Sequence, residues 1–294
     1  MKGKSADFPF LCKKTNTVGA ENFLPLLSSL TRTMEKLIHL GSKEINTQWI
    51  NPSALSGSKP VLVFLHEALG SIIQWKSFPS DLCNSLNLAG IVIERSGHGK
   101  SSFLTEDRDR FYLHHYSTET MDVLREMLNP DQKYIIIGHS DGGSIGLIMA
   151  SREPKNLLAL VTMAAHTFVE QETLAGIHPA IEAFESGKLS GLNKIHGAKT
   201  QALFYGWANT WLSPNFRYWD IREEIQSFTI PVLAIQGSSD QYGTQEQVNS
   251  IVSNHENRKG IIIPNCGHHP HLEKPEETMK AISSWMWNLN RLIK

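Results

Sequence analysis

The feature that most restricts the fold is a series of short, unbroken apolar runs rich in β-branched residues: Val61 to Leu65, Gly90 to Ile93, Tyr134 to Ile137, Leu157 to Val161, Pro231 to Ile235 and Gly260 to Ile263. A strand with one wet face alternates apolar and polar residues, whereas a strand buried on both faces of a parallel sheet reads as a continuous apolar run. Helix-length segments near 73–87, 115–128, 141–152, 243–254 and 275–292 separate the runs. Repeated βαβ units follow, so the fold class is α/β, with a mostly parallel central sheet flanked by helices. Upstream, Lys36 to Leu40 and Glu44 to Ile50 flank Gly41-Ser42, which reads as a β-hairpin. One interval, from about His166 to Ile225, lacks a strand-like run and carries Phe204, Tyr205, Trp207, Trp211, Phe216, Tyr218 and Trp219. It reads as an inserted helical cap. The expected organisation is an N-terminal extension 1–35, a core of 36–165 and 226–294, and the cap 166–225.

With 294 residues, 40% of them hydrophobic and 19% charged, the chain can bury a substantial core. The formal net charge of -1 offers no field for a polyanion, so nucleic acid is not an expected partner. Cys12, Cys83 and Cys266 are too few and too far apart for a disulfide framework or a zinc site, and a reducing compartment is expected. The basic start Met1-Lys2-Gly3-Lys4 is followed by an apolar stretch, Phe8 to Cys12, too short for a signal peptide. No apolar run approaches the roughly 20 residues of a membrane helix. These readings predict a cytoplasmic protein acting on a small molecule, off the membrane, with homo-oligomerisation open.

Gly138-His139-Ser140-Asp141-Gly142 follows one apolar run and precedes a helical segment. This is G-x-S-x-G in a strand–turn–helix context, where glycines permit the strained turn that lifts a serine hydroxyl clear of the sheet. A serine hydroxyl is a weak nucleophile and needs a base oriented by an acid. Asp240 and His268 each come directly after a later run, in Gly237-Ser238-Ser239-Asp240 and Cys266-Gly267-His268. The expected roles are Ser140 nucleophile, His268 base and Asp240 orienting acid. An oxyanion needs two fixed N–H donors. Asp141 supplies one through its backbone, and the loop His66-Glu67-Ala68-Leu69-Gly70-Ser71 the other, from Ala68 or its neighbour Leu69. Glu67, Leu69, Trp75, His139, Trp207 and Trp211 are candidates for the substrate pocket.

Together with the turn Arg95-Ser96-Gly97-His98-Gly99-Lys100-Ser101 and the ending Gly267-His268 followed by Glu273-Lys274-Pro275, these motifs resemble the α/β-hydrolase superfamily over roughly residues 36–294. The pattern is similar to the capped branch that contains carboxylesterases and hydrolases of ring-cleavage products. That resemblance implies cleavage of esters, or of carbon–carbon bonds next to a ketone, without metal or organic cofactor. Glu67 stands where many members have glycine, and Asp141 where they have an uncharged residue. Neither departure removes a backbone N–H, so both bear on substrate choice.

Competing readings are weaker. Gly99-Lys100-Ser101 lacks the earlier glycine of a phosphate loop, since Glu94 occupies that position. His268-His269-Pro270-His271 and His114-His115 lack metal-ligand spacing, which leaves His269 and His271 as expected solvent-facing neighbours of the base. Cys266 is expected to be buried. A catalytically silent binding protein would have no need of all three of Ser140, Asp240 and His268. Activity is expected to rise with pH as His268 deprotonates, around its reference pKa of roughly 6.5.

Overall fold

In a computed structural model, the described residues are 32–292 without 56–58, 153–154 and 254. The N-terminal extension, with Cys12, lies almost wholly outside them. The hairpin is present as β1 (Thr33–Leu40) and β2 (Lys43–Ile50), with Gly41 at φ 60° in its turn. The apolar runs form β3 (Val61–Leu65), β4 (Gly90–Glu94), β5 (Tyr134–His139), β6 (Leu157–Met163), β7 (Val232–Gly237) and β8 (Arg258–Ile263). The sheet has eight strands in the order β1-β2-β4-β3-β5-β6-β7-β8. Pairing is antiparallel from β1 to β4 and parallel from β4 to β8.

Successive residues of one strand feed opposite cores, which is why the runs carry no polar positions. Val61, Val63 and Leu65 pack into one apolar cluster, and Leu62 and Phe64 into the other. The first cluster is closed by α2 (Tyr112–Met127), α3 (Asp141–Ser151) and α7 (Gln245–Val252). The second is closed by α1 (Phe78–Leu86) and α9 (Pro275–Leu292), through residues such as Leu82 and Ile282. Between β6 and β7 the chain forms α4 (Gln171–Glu185), α5 (Gly191–His196) and α6 (Thr200–Leu212). A single turn, α8 (Pro270–Glu273), precedes α9. No helix among the described residues is long and apolar enough to cross a membrane.

The parallel register aligns Leu65 with Gly138, Gly138 with Thr162, Met163 with Ile235 and Gly237 with Ile263. The loops leaving β3, β5, β7 and β8 therefore emerge along one edge. Strand order reverses at β3 and β5, and in open α/β sheets ligands bind outside the carboxyl ends of the strands at such a point.

Candidate active site

Ser140 sits between β5 and α3 with φ 51° and ψ -118°, a conformation costly for a residue with a side chain. Its surroundings hold it there. The Ser140 N–H donates to Met163 O at 2.8 Å, and its carbonyl accepts from Gly143 N at 2.8 Å and Ser144 N at 3.1 Å. The turn closes so tightly that a Cβ on Gly138 would lie 2.3 Å from Gly142 O, and one on Gly142 would lie 1.9 Å from Leu65 O. Glycine at both positions is thus a steric requirement.

His268 Nε2 lies 2.9 Å from Ser140 Oγ, and His268 Nδ1 lies 2.9 and 3.0 Å from the two Asp240 carboxylate oxygens. Asp240 is fixed by the Tyr242 N–H at 2.9 Å and by Gln236 Nε2 at 3.4 Å. Burial works against a charged imidazole, but the charge and hydrogen bond of Asp240, helped by Glu67 and Glu273, outweigh it and hold His268 above its ordinary pKa. Asp240 is held below the usual carboxylate value: its burial opposes this, and His268 and the Tyr242 N–H overcome it. The arrangement can take a proton from the serine and stabilise the resulting imidazolium.

Facing Ser140, the loop after β3 has its carbonyls turned away and held. Arg95 donates through Nη1 to His66 O and through Nη2 to Glu67 O at 2.8 Å. His98 Nε2 meets Ala68 O at 3.0 Å, and His196 Nε2, on α5, donates to Leu69 O at 3.0 Å. His66 Nε2 accepts the Arg95 N–H at 3.2 Å, so its Nδ1 carries the proton donated to Glu67 O at 2.7 Å. Some of the loop's N–H groups are also used: the Gly70 N–H donates to Glu67 O at 3.1 Å. The Leu69 N–H is taken by the Glu67 carboxylate at 3.3 Å. The Ala68 and Asp141 N–H groups have no partner among the described residues. Asp141 also begins α3, whose N-terminal dipole favours negative charge. Sequence reading singled out none of Arg95, His98, His196 or Tyr242 for a site role; the R-x-G-x-G turn marks the first two only as part of a motif.

A cavity of about 60 Å³ opens on Ser140. Glu67, Ala68, Leu69, Asp141, Trp207 and Trp211 line it, so these candidates meet at one place. Trp75 and His139 do not reach it. They lie behind the elbow, where His139 Nε2 donates to His268 O at 2.8 Å and Trp75 packs edge-on against His139. The Asp141 carboxylate accepts from Tyr112 Oη at 2.9 Å, which in turn accepts from Trp211 Nε1 at 2.8 Å. Withdrawal from water pushes both the Asp141 and Glu67 carboxyls upward. His269 and His271, expected to face solvent, are instead 8% and 4% exposed. The rings of Trp75 and Phe78 pack on His271, and His139 lies edge-on to it and tilted against His268. No three His, Cys, Asp or Glu side chains among the described residues are grouped to hold a metal ion. Cys266 is buried as expected, its thiol pushed up to about 12 first by burial and then by neighbouring carboxylates.

The sheet order and the strand–turn–helix carrying Ser140 define an α/β-hydrolase fold. Comparison with known proteins agrees. Residues 60–185 match the family model described as alpha/beta hydrolase fold. Among solved structures, the chain is similar to a membrane phospholipase A described as a novel bacterial virulence factor, with a TM-score of 0.70 and 18% identity over 88% of this chain and 87% of that one. It is also similar to a proline iminopeptidase from Mycobacterium smegmatis, at 0.67 and 18% over 89% and 100%. A serine hydrolase involved in carbazole degradation matches at 0.67 and 19%, over 87% and 99%. At these identities the likeness is one of fold.

Proposed function

We propose that the protein is a serine hydrolase that cleaves small carboxylic esters through an acyl-enzyme on Ser140. The observation that carries this reading is the continuous hydrogen-bonded line Ser140 Oγ, His268, Asp240, set beside two N–H groups without partners. His268 Nε2 removes the Ser140 proton as Oγ attacks the ester carbonyl. The oxyanion rests on the Ala68 and Asp141 N–H groups. Collapse breaks the bond to the alcohol oxygen, which leaves with the proton from His268. Water then attacks the acyl-enzyme, giving its proton to His268 and its hydroxyl to the acyl carbon, and Ser140 recovers its proton as the acid departs.

The cavity limits the acyl group. At about 60 Å³ it holds roughly two groups of water or methyl size. Short acyl groups, acetyl foremost, are therefore the substrates we assign. A second reading is the other activity that the sequence resemblance implies, cleavage of a carbon–carbon bond in a ring-cleavage dienol acid. Against it, no Lys or Arg lines the cavity among the described residues, whereas Glu67 does. A carboxylate substrate would meet repulsion there and no counter-charge.

Steady-state hydrolysis of p-nitrophenyl acetate by wild type and by Ser140→Ala, His268→Ala and Asp240→Asn tests the reading. Each variant should lose about three or more orders of magnitude in kcat, and the losses should not add in combination, because the groups act as a unit. Near-normal turnover by Ser140→Ala would remove the proposal.

A further inference from the structure

Two carboxylates outside the triad line the cavity at Ser140, and their surroundings differ. Asp141 accepts from Tyr112 Oη at 2.9 Å and feels the positive charge of Arg95 and Arg108. Glu67 accepts only the Leu69 N–H, through Oε2 at 3.3 Å, and forms no ion pair among the described residues. The charge of Arg95 also reaches Glu67, but its Nη atoms are engaged by the carbonyls of His66 and Glu67. Glu67 Oε1 has no partner and is not sealed in. The Glu67 charge is felt by His268 and Tyr242, which line the same cavity. A carboxylate withdrawn from water without a counter-ion is costly, so a ligand that supplies one is favoured there.

A second observation points the same way. His166 is 4% exposed and lines the cavity. Its Nδ1 is sealed off without a partner, whereas its Nε2, equally unbonded, is open to a small group. Burial lowers the ring to about 4 and so keeps it neutral near pH 7; with its proton on Nδ1 it offers Nε2 as an acceptor. Glu67 Oε1 and His166 Nε2 both call for a donor, and Glu67 calls for positive charge as well. An ammonium group, with three donors and no acceptor, meets both demands. The remaining wall suits a cation too. The rings of Trp207 and Tyr242 lie 6.3 Å apart and that of Trp211 lies 5.1 Å from His166, and aromatic faces attract cations. At about 60 Å³ the space takes roughly two groups of methyl size, which fits a methylene with a primary ammonium and is too small for a trimethylammonium.

We propose that the cavity recognises a protonated amine on the acyl chain, so that the substrate is an ester of a small α-amino acid, with aminoacetyl the acyl group that fits best. The inference rests on the ester-hydrolase reading above. Glycine ethyl ester and ethyl propionate, which differ by an ammonium in place of a methyl group, test it with the full-length protein, followed by ethanol release. The assay runs at pH 7, where an α-ammonium of pKa about 7.7–8.0 is mostly protonated. Wild type should favour the glycine ester in kcat/KM. Glu67→Gln should lower that ratio about ten-fold, because it deletes the counter-charge and keeps the side chain's shape; the esters' own reactivities cancel in this comparison. His166→Phe should lower the ratio about three-fold, and carries the test if Glu67→Gln does not fold. A wild-type preference for ethyl propionate would overturn the proposal. So would variants that slow both esters equally, which would leave Glu67 as a support for His268 alone. A Glu67-dependent preference for acetylcholine over 3,3-dimethylbutyl acetate, without one for the glycine ester, would place the cation on the alcohol and overturn it too. Turnover of p-nitrophenyl acetate alongside such a result would leave the hydrolase reading standing; hydrolysis of none of the esters would remove both.

Discussion

At the scale of single residues, the pairing of His268 with Asp240 moves the chemistry away from what an isolated histidine would do. The sequence predicts a titration near the reference value of roughly 6.5. Burial alone would push His268 lower still, but the Asp240 charge and hydrogen bond raise it. The acid limb of kcat/KM against pH should therefore lie above 6.5, and Asp240→Asn should move it down, because only the weaker pull of Glu67 and Glu273 then opposes burial. A limb at or below 6.5 in wild type would contradict the assignment. Glu67 acts on a neighbouring property. Its carboxyl shares the cavity wall with His268, so esters that carry a carboxylate should be poor substrates. Glu67→Gln should improve them about three- to ten-fold relative to neutral esters, most visibly at low salt, the effect being modest because the side chain is partly exposed. An unchanged ratio at low ionic strength would show that Glu67 does not set charge preference.

Among the elements, the segment between β6 and β7 does two things to the site. His196 on α5 accepts the Gly99 N–H at 3.0 Å and donates to Leu69 O, while Lys199, just beyond, donates to His98 O at 3.2 Å and to Ser101 O. These bonds fasten the segment to the loops after β3 and β4. Its helices also line the cavity at Ser140, through Ile177 on α4 and Trp207 and Trp211 on α6. Ile177 is fully buried, so Ile177→Ala should cost about 2–4 kcal/mol of stability. It should also shift the preferred p-nitrophenyl ester from acetate toward butyrate or hexanoate. Retention of a strict acetate preference in a folded variant would mean that the cavity wall does not select the acyl group. None of these fastenings is legible in the chain. His196 and Leu69 are 127 positions apart, and Lys199 and Ser101 98, so neither motif nor periodicity links them. The meeting of Ser140, Asp240 and His268 is legible, because each stands directly after a run that had to be a buried strand, and parallel strands deliver their carboxyl ends to one edge. His269 and His271 mislead for the opposite reason: their polarity suggests solvent, and only the packing of Trp75 and Phe78 covers them.

For the molecule as a whole, the histidines dominate the response to acid. His66, His98, His139, His166, His196, His269 and His271 are all held below the ordinary imidazole value, by burial first, His166 at about 4 and His269 at about 3. Between those values and roughly 6.5 the unfolded chain binds protons that the folded chain does not. Stability is therefore fully present above about 6.5 and falls as pH drops, by up to ~1.4 kcal/mol per histidine per pH unit. His268 has the opposite sign, its contribution being present below 6.5 and lost as pH rises through its folded value, but one group cannot offset seven. Melting temperatures from pH 7.5 down to 4.5 should fall steeply below 6.5; a flat profile to pH 5 would show that these rings take up protons without cost. The proposed function places the chemistry on the strained Ser140, and its reactivity is open to direct measurement. The protein is treated with a fluorophosphonate, and intact mass and peptide mapping locate the adduct. A single adduct on Ser140, formed rapidly near pH 8, slowed by orders of magnitude in His268→Ala and absent in Ser140→Ala, is the predicted result. An unlabelled Ser140, or labelling that proceeds equally fast without His268, would contradict the account.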